Sequence, residues 1–342
     1  MVIPDTTVLT VHIDEGTVMN ADDQSLQHAD LEESAVFAGT ERLRRYSVPA
    51  LDEILGSRLR VLDDGFVRVI DYMGSDSSIV QAARVSYGAG TRKLAEDRAL
   101  IRDLMRHRHT TPFEMCEIKL HVRTPIHAWR HWIRHRTANV NEYSTRDSIA
   151  NFAYKTKASE WRTHPSKDKT LTGAFLPVEK GQLLSARELD LQRISRDVYQ
   201  ERMEAGVTRE QARKDLPLST YTEAYWKIDL HNLLNFLQVR MGEHAPAEIR
   251  CYAELIGEEI VSKWVPLAWE AFLDYVRNGL LLSGTQAQIV AALLAHSPEE
   301  ARRIAESAGL LTVKPNGEIA VSRERTEFES KLLRLGLIAP WK

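Results

Sequence analysis

The stretch Met115–Val122 constrains the fold most, because its apolar and polar residues alternate with a period of two. Four apolar side chains fall on one face: Cys116, Ile118, Leu120 and Val122. This pattern is typical of a strand with one buried side. Pro125 then favours the start of a helix that carries Trp129 and Trp132. The sequence therefore predicts a strand that runs almost directly into a helix.

The rest of the chain contains few strand patterns and many helix patterns. Strands are predicted at Gly65–Ile70, closing at Gly74, and at Tyr221–Ile228. Helices are predicted from Asp76 or Ser77 to Val85, at Leu94–His107, Ser185–Ala205, Leu230–Met241 and Ala247–Val265, and in short segments after Pro112, Thr208 and Pro266. Asp229 is a candidate N-cap, and Thr208 to Gln211 matches a capping box. Residues 155–182 have a loop composition. This mixture predicts an α+β domain.

Three regions differ in pattern. Residues 1–60 are acidic and lack sustained periodicity, so they are interpreted as an N-terminal extension. Residues 61–279 hold the predicted strands and most of the helices. Residues 280–342 carry three modest helical patterns, Ala287–Ala295, Pro298–Ala308 and Arg323–Leu335, which predict a C-terminal helical extension.

Composition limits the class of protein. The chain has 342 residues and two cysteines, which predicts a reducing, cytoplasmic environment without a disulfide framework. No apolar run reaches the roughly 18 residues of a membrane span, and the first residues lack the pattern of a secretory signal. The net charge is -3, which does not favour binding to a long nucleic acid.

One segment is strongly basic, although the net charge of the whole chain is negative. Arg123, Arg130, Arg134 and Arg136 occur with no acidic residue between them and before Glu142. Arginine holds phosphate through two parallel hydrogen bonds, so the segment predicts a site for a small polyanionic ligand. The alternative is a nucleic-acid-binding protein that uses this basic, aromatic stretch as its surface.

The same segment contains a longer motif. Arg134-His135-Arg136 is followed by seven residues and then Ser144, and the motif also includes Asn141, Glu142 and Arg146. This arrangement resembles the signature of the flavin-dependent thymidylate synthases. The resemblance extends from about Leu62 to Gly279 through five further segments: Asp64 to Val67, Met73 to Asp76, Ala82 to Ser86, His109 to Glu114, and Asn232 to Leu237 with Arg240.

The resemblance implies a fold, a reaction and partners. The expected fold has a central mixed sheet flanked by helices. The expected reaction is methylation of carbon 5 of dUMP, with FAD as the hydride carrier, methylenetetrahydrofolate as the one-carbon donor and NADPH as the reductant. Members of the family form a homotetramer whose active sites lie at subunit interfaces.

The resemblance also implies roles for individual residues, with Arg240 as the catalytic group that stabilises charge on the pyrimidine. The expected nucleotide-binding residues are Arg130, His131, Arg134, Glu142, Tyr143, Ser144, Thr145, Arg146, Asp147, Arg213 and Arg240. The expected FAD-binding residues are Ser86, His109, Thr111, Arg134, His135, Arg136, Asn141, Glu142, Asp229, His231, Asn235 and His244. From the residues alone, Arg213 and Arg240 are equally well explained as surface arginines that pair with Glu210 and Glu243.

Three positions depart from the family pattern. Asp147 stands where a tyrosine is usual, His131 where many members have glutamine, and Asp229 where some have asparagine. A carboxylate suits a ribose hydroxyl, which gives the hypothesis that the pocket accepts UMP, as in a branch of the family that serves nucleoside-antibiotic assembly. The alternative is that Asp147 faces solvent or pairs with Arg146.

Other chemistry is disfavoured. Cys116 and Cys251 are predicted to be buried packing residues, not nucleophiles. His127, His131 and His135 recur every four residues on one predicted helix face, but the neighbouring arginines would repel a metal ion, so no metal site is predicted. Tyr221, Tyr225 and Trp226 are predicted to be core aromatics.

Overall fold

A single sheet lies at the centre of the fold. The computed structural model describes residues 47–84, 94–143, 153–163, 173–312, 314, 318–320 and 322–341. Five strands pair in the order β1-β2-β3-β5-β4. They are β1 (Leu59–Val61), β2 (Gly65–Met73), β3 (Glu117–Pro125), β4 (Asn139–Glu142) and β5 (Tyr221–Asp229). The strands predicted from Gly65, from Met115 and from Tyr221 are confirmed.

Every pairing between these strands is antiparallel. The expectation of a mixed sheet is therefore wrong for the described residues. The physical reason was visible in the sequence, because β3 and β5 alternate between buried and partly exposed side chains. Alternation suits an antiparallel sheet with one covered face, whereas parallel strands are usually apolar on both faces.

The helices of the described residues surround this sheet and extend beyond it. In the first half they are α1 (Pro49–Asp52), α2 (Asp76–Arg84), α3 (Leu94–Arg106), α4 (Thr111–Glu114), α5 (Ile126–Trp132), α6 (Val178–Glu204) and α7 (Arg209–Ala212), which continues as a 3-10 turn, Arg213–Asp215. Then come α8 (Leu230–Arg240), α9 (Ala247–Leu255), α10 (Ser262–Trp264), α11 (Pro266–Phe272), α12 (Gly284–Leu294), α13 (Pro298–Ser307) and α14 (Arg323–Arg334). Two π-helical turns, Ile256–Val261 and Leu273–Arg277, follow α9 and α11.

Trp132 joins the sheet to the helices. It is fully buried at the end of α5, and its ring lies 5.3 Å from Trp226 of β5, 5.1 Å from Phe236 of α8 and 5.7 Å from Tyr252 of α9. Aromatic pairs in this range stabilise a core beyond the area that they bury. The last turn of α5 is thus fixed relative to α8, which matters for the site below.

The outer face of the sheet carries paired charges. His121 of β3 lies between Arg68 and Glu223, with hydrogen-bond distances of 2.6 and 2.8 Å. Arg123 pairs with Glu223 at 2.6 Å and also contacts Asp64. Burial, partly offset by Glu223, lowers the pKa of His121. This network holds β2, β3 and β5 together.

Most predicted helices are confirmed, and the structure differs from the sequence-based predictions at three places. Helix α6 begins at Val178, not at Ser185, because Gly181 lets the first turn approach Ala158, whose carbonyl oxygen would lie 1.9 Å from an added Cβ. The segment around Asn141 forms an edge strand that the sequence patterns did not predict, because it pairs with β5. The short helix after Thr208 exists, but the Thr208 side chain makes no capping hydrogen bond.

Asp76 stabilises a distant helix. It begins α2, but its carboxylate accepts hydrogen bonds from the backbone N–H groups of Leu267 (2.8 Å) and Ala268 (3.0 Å) in the first turn of α11. Asp229, in contrast, caps its own helix as predicted and accepts from Asn232 N at 2.9 Å.

The described C-terminal residues have a separate apolar core. Ile289, Phe328 and Leu332 are fully buried there, and this cluster is distinct from the one that covers the sheet. The three predicted C-terminal helices are confirmed as α12, α13 and α14. Within the described ranges, no helix has the length and apolarity needed to cross a membrane.

Candidate functional site

Arg240 forms the centre of the site, at the end of α8. Its Nε donates to His135 Nε2 at 3.0 Å, and its Nη2 donates to the carbonyl oxygen of His131 at 2.8 Å. The pairing with Glu243 that was one alternative for Arg240 is not formed. The helix dipoles favour a cation here, because the last turns of α5 and α8 both present carbonyl groups.

The hydrogen bond from Arg240 fixes the state of His135. Because Nε2 accepts from a guanidinium, that nitrogen carries no proton, so a neutral His135 carries its proton on Nδ1. Burial and the charge of Arg240 lower the pKa of His135, which favours the neutral form. Phe236 holds the ring in place through an edge contact with 5.0 Å between centroids.

Four arginines of this region are not neutralised. Among the described residues, no carboxylate lies within ion-pair distance of Arg130, Arg134, Arg136 or Arg240. Burial and Arg134 lower the pKa of Arg240, while burial, Arg240 and Arg134 lower the pKa of His131. A half-buried guanidinium without a counter-ion is costly. The cluster therefore suits an anionic ligand.

Glu142 lies on the edge strand β4, next to this cluster in sequence. Its Oε1 accepts a hydrogen bond of 2.7 Å from the hydroxyl of Thr222, a buried residue of β5. Sequence reasoning missed Thr222, although the alternation of β5 already placed it on the inner face. The bond orients the Glu142 carboxylate, although Glu142 is exposed like Asn141 before it and Tyr143 directly after the strand.

A cavity of about 510 Å³ lies between α3, α8 and the turn after α11. His109, His231 and Asn235 line it, and the side chains of His231 and Asn235 lie 3.2 Å apart. Its other lining residues are Leu104, Met105, Arg106, Arg108, Thr110, Phe113, Leu234, Gln238, Phe272, Tyr275, Val276, Gly279, Leu280 and Leu281. Apolar walls with a few basic and polar groups suit a ring-bearing anion.

The other predicted site residues are distributed as follows. Thr111 is exposed at the start of α4, and His244 is exposed beyond α8. Arg213 is half-buried in the 3-10 turn after α7. Both carboxylate oxygens of Asp229 are used within its own helix, on Asn232 N and Asn232 Nδ2. Ser86, Ser144, Thr145, Arg146 and Asp147 lie outside the described residues.

Two predictions about burial are each wrong for one residue: Cys251 among the two cysteines, and Tyr225 among the three aromatic residues. Cys116 is buried as predicted, and burial raises the pKa of its thiol to about 12. Cys251 is exposed, because it occupies the outer side of α9, although surrounding protein atoms and Glu254 still raise the pKa of its thiol. Neither thiol is activated as a nucleophile. Tyr221 and Trp226 are core aromatics, but Tyr225 points to the outer face of the sheet and is 42% exposed.

The three histidines considered as metal ligands do not share one helix, since α5 ends at Trp132 and His135 lies beyond it. In the part of the chain that the structure describes, no three His, Cys, Asp or Glu side chains are grouped so that they could hold a metal ion.

The chain matches the family described as "Thymidylate synthase complementing protein" over residues 68–267. A flavin-dependent thymidylate synthase of Wolbachia pipientis wMel is 50% identical over 256 residues, which cover 74% of this chain and 89% of that protein. A flavin-dependent thymidylate synthase of Rickettsia conorii is 47% identical over 265 residues, which cover 73% of this chain and 90% of that protein.

The chain belongs to the flavin-dependent thymidylate synthase family. It is therefore an enzyme, as the Arg134–Arg146 motif predicts, and the alternative of a nucleic-acid-binding module is no longer needed to explain its basic segment. Among solved structures, a UMP/dUMP methylase, PolB from Streptomyces cacaoi bound with 5-Br UMP, is 31% identical with a TM-score of 0.58. The match covers 64% of this chain and 98% of that one.

Proposed function

We propose that this chain methylates carbon 5 of a uracil nucleotide, converting dUMP to dTMP with methylenetetrahydrofolate as the one-carbon donor and NADPH as the reductant. The observation that carries this proposal is Arg240, which has no carboxylate partner among the described residues, is fixed by His135 and His131 and lies near the charge of Arg134. Curated relatives with close to 50% identity are flavin-dependent thymidylate synthases, which supports dUMP as the first candidate substrate.

Arg240 acts on the pyrimidine in this proposal. Its Nε and Nη2 are held by protein acceptors, so Nη1 remains to donate to a ring carbonyl. Carbon 5 of the uracil becomes a better nucleophile towards the one-carbon unit when N3 loses its proton and negative charge builds on N3 and the ring carbonyl oxygens. A fixed guanidinium stabilises that charge without reorganising during the reaction. The unreactive thiols agree with a route that needs no cysteine nucleophile.

The phosphate of the nucleotide would be held by arginines. Arg134 lies close enough to Arg240 to lower its pKa, Arg130 lies on the last turn of α5, and the family resemblance adds Ser144, Arg146 and Arg213, of which only Arg213 belongs to the described residues. A guanidinium can bind a phosphate with two parallel hydrogen bonds. His131, Tyr143, Thr145 and Asp147 are proposed to complete the nucleotide pocket together with Glu142.

FAD fits the cavity beside α8. Phe113, Phe272 and Tyr275 offer apolar walls for a planar ring, while His231 and Asn235 offer hydrogen bonds, and Arg106 and Arg108 offer charge for phosphate. When bound, FAD supplies the hydride that completes the methyl group. The proposed FAD-binding residues are Ser86, His109, Thr111, Arg134, His135, Arg136, Asn141, Glu142, Asp229, His231, Asn235 and His244. Asp229 would act through its backbone or by capping α8, because Asn232 occupies its carboxylate.

UMP is the second candidate substrate. The similar PolB structures are those of a UMP/dUMP methylase bound with 5-Br UMP and with 5-Br dUMP. Asp147, in place of the usual tyrosine, would provide an acceptor for the additional 2'-hydroxyl. Turnover of both nucleotides by the wild type and by Asp147→Tyr tests this idea, which fails if dUMP is strongly preferred and the substitution leaves that preference unchanged.

A homotetramer is also proposed, and α6 supports it. Gly181, Gln192 and Tyr199 of this helix are buried on one side. A different side of the helix carries Leu183, Leu184, Leu191 and Ile194, which are between 40% and 70% exposed. At 100° per residue, these four fall within one arc of about 100°. An exposed apolar stripe of this kind marks an interface between protein chains.

One experiment tests the central proposal. The purified protein is incubated with NADPH, methylenetetrahydrofolate and either dUMP or UMP, and the nucleotide product is analysed by mass spectrometry. We expect a gain of one methyl group on the base and visible flavin absorbance that bleaches when NADPH is added. A colourless protein that leaves both nucleotides unchanged would overturn the proposal.

A further inference from the structure

The wall of the flavin cavity is continued by a segment that follows the residues matched by the family model. Gly279, Leu280 and Leu281 line the cavity, whereas the family match ends at residue 267. Residues 278–281, the wall segment, lead directly into the C-terminal module, defined here as residues 282–341. The cavity is thus closed on one side by a segment whose position depends on that module.

Two cations of α14 hold the backbone of the wall segment. Lys331 Nζ donates to the carbonyl oxygen of Leu281 at 2.8 Å, and Arg334 Nη2 donates to the carbonyl oxygen of Asn278 at 2.8 Å. Residues three apart on a helix lie on the same face, so both donors reach the wall segment from one side. Hydrogen bonds from charged donors are stronger than neutral ones.

The module that presents these cations is itself fixed. Phe328 and Leu332 of α14 are fully buried in the C-terminal core, and Lys331 also donates to Gln286 Oε1 of α12 at 3.0 Å. On the inner side, Gly279 packs on the backbone of Tyr275. The carbonyl oxygen of Tyr275 would lie 2.4 Å from a Cβ added at Gly279. The wall segment is therefore held from both sides.

We propose that the C-terminal module is a positioning element for flavin binding, and that Lys331 and Arg334 set the affinity for FAD by fixing the wall segment. This inference rests on the proposed function, since it takes FAD as the occupant of the cavity. Lys331 and Arg334 do not line the cavity, so they act through the wall and not on the ligand.

The test compares two double variants of the full chain. Lys331→Met with Arg334→Met removes both donors while keeping side-chain length. Arg302→Met with Arg303→Met is the matched control, because these arginines pair within α13, with Glu306 and Glu300, and not with the wall. Two quantities are measured: hydrogen exchange of the amides of residues 279–281, and the dissociation constant for FAD.

In the first variant we expect faster exchange in the wall segment and an FAD dissociation constant about tenfold higher, as the loss of two charged hydrogen bonds allows. At saturating FAD, kcat stays close to that of the wild type. The control variant matches the wild type in both quantities. The conservative pair Lys331→Arg with Arg334→Lys keeps both donors and restores the affinity.

Unchanged exchange, or faster exchange with unchanged FAD affinity, overturns the inference. Hydrogen exchange of the amides of α14, whose Glu329 accepts from Trp341 at 2.8 Å, reports whether the module stays folded; if it unfolds in the Met variant, the conservative pair decides. A wild type that binds no FAD overturns the proposed function itself, and hydrogen exchange then shows separately whether the module fixes the wall.

Discussion

The arginines of α3 and those near the end of α5 differ in their partners. On α3, Arg98 pairs with Glu270 of α11 at 2.6 Å, and Arg102 contacts both Glu270 and Asp274. Near the end of α5, Arg130, Arg134 and Arg240 have no carboxylate partner among the described residues. Both groups consist of the same side chain on helices of similar kind.

The difference separates two uses of arginine. The pairs of α3 join two helices at the surface, where an ion pair adds little to stability. The cluster around Arg240 leaves its charge for a ligand. Burial and Arg134 lower the pKa of Arg240, and burial, Arg240 and Arg134 lower the pKa of His131, with a smaller opposing contribution from Glu248. Missing partners, more than the number of arginines, therefore identify the site.

Arg240→Met should have the largest effect on activity. We expect kcat to fall by about 10²–10³-fold, the usual cost of removing a donor to developing charge, while the protein keeps its flavin absorbance. Steady-state turnover and the visible spectrum check this. If methyl transfer survives at a tenth of the wild-type rate or more, Arg240 is not the activating group.

Asp76 extends the comparison to carboxylates, because it is half-buried and has no cation among its described partners. Burial raises the pKa of Asp76 from 3.8 to about 6, so the folded state binds this proton more tightly than the unfolded state. Its contribution to stability is therefore largest at low pH and is lost as the pH rises from about 4 to about 6, by about 3 kcal/mol.

Asp76→Asn should remove this dependence. Urea unfolding of the wild type and the variant at about pH 4 and about pH 7 checks the prediction, since the variant should gain relative to the wild type as the pH rises. Glu270 should behave in the opposite sense, because Arg98 lowers its pKa. Parallel pH profiles for the wild type and Asp76→Asn would contradict the assignment.

Thr222→Val removes the hydrogen bond that orients Glu142. We expect the KM for the nucleotide to rise, or the affinity for FAD to fall, by about three- to tenfold, which corresponds to the loss of one hydrogen bond. We expect kcat to stay nearly unchanged. Thr124→Val is the matched control, because Thr124 lies opposite Thr222 in the β3–β5 pair and has no bond to Glu142. Equal effects of the two substitutions would mean that only packing has been disturbed.

Arg98→Met should have the smallest effect. Its pair with Glu270 is partly exposed, so we expect thermal unfolding to shift by a few degrees at most and turnover to stay at the wild-type value. Differential scanning calorimetry and the methyl-transfer assay measure both. A loss of activity comparable to that of Arg240→Met would remove the distinction between paired and unpaired arginines.

Local patterns in the sequence predicted the fold well where one face is buried. The alternation of β3 and the Asp229 cap of α8 were both visible, because they depend on neighbours in sequence. The start of α6 and the strand at Asn141 were missed, since the first depends on a glycine packing against Ala158 and the second on pairing with β5.

The site was predicted less completely, and for a similar reason. The family resemblance named Arg240 and His135, but their mutual hydrogen bond joins residues 105 apart in sequence. No sequence motif marks Thr222 or the wall segment. Thr222 contributes a single hydrogen bond to Glu142, and the wall segment contributes only the position of its backbone. The UMP hypothesis and the roles of Ser144 to Asp147 stay predictions.

Helices α5 and α8 begin at opposite ends of the β3–β5 pair, after Pro125 and after Asp229, and their last turns meet at Arg240. The lengths of β3, β5, α5 and α8 thus determine the distance between His131 and Arg240. Adding one residue to either helix would rotate its final turn by about 100° and separate the two groups. Length variation among relatives should therefore be confined to the connections, such as residues 153–177, and absent from these four elements.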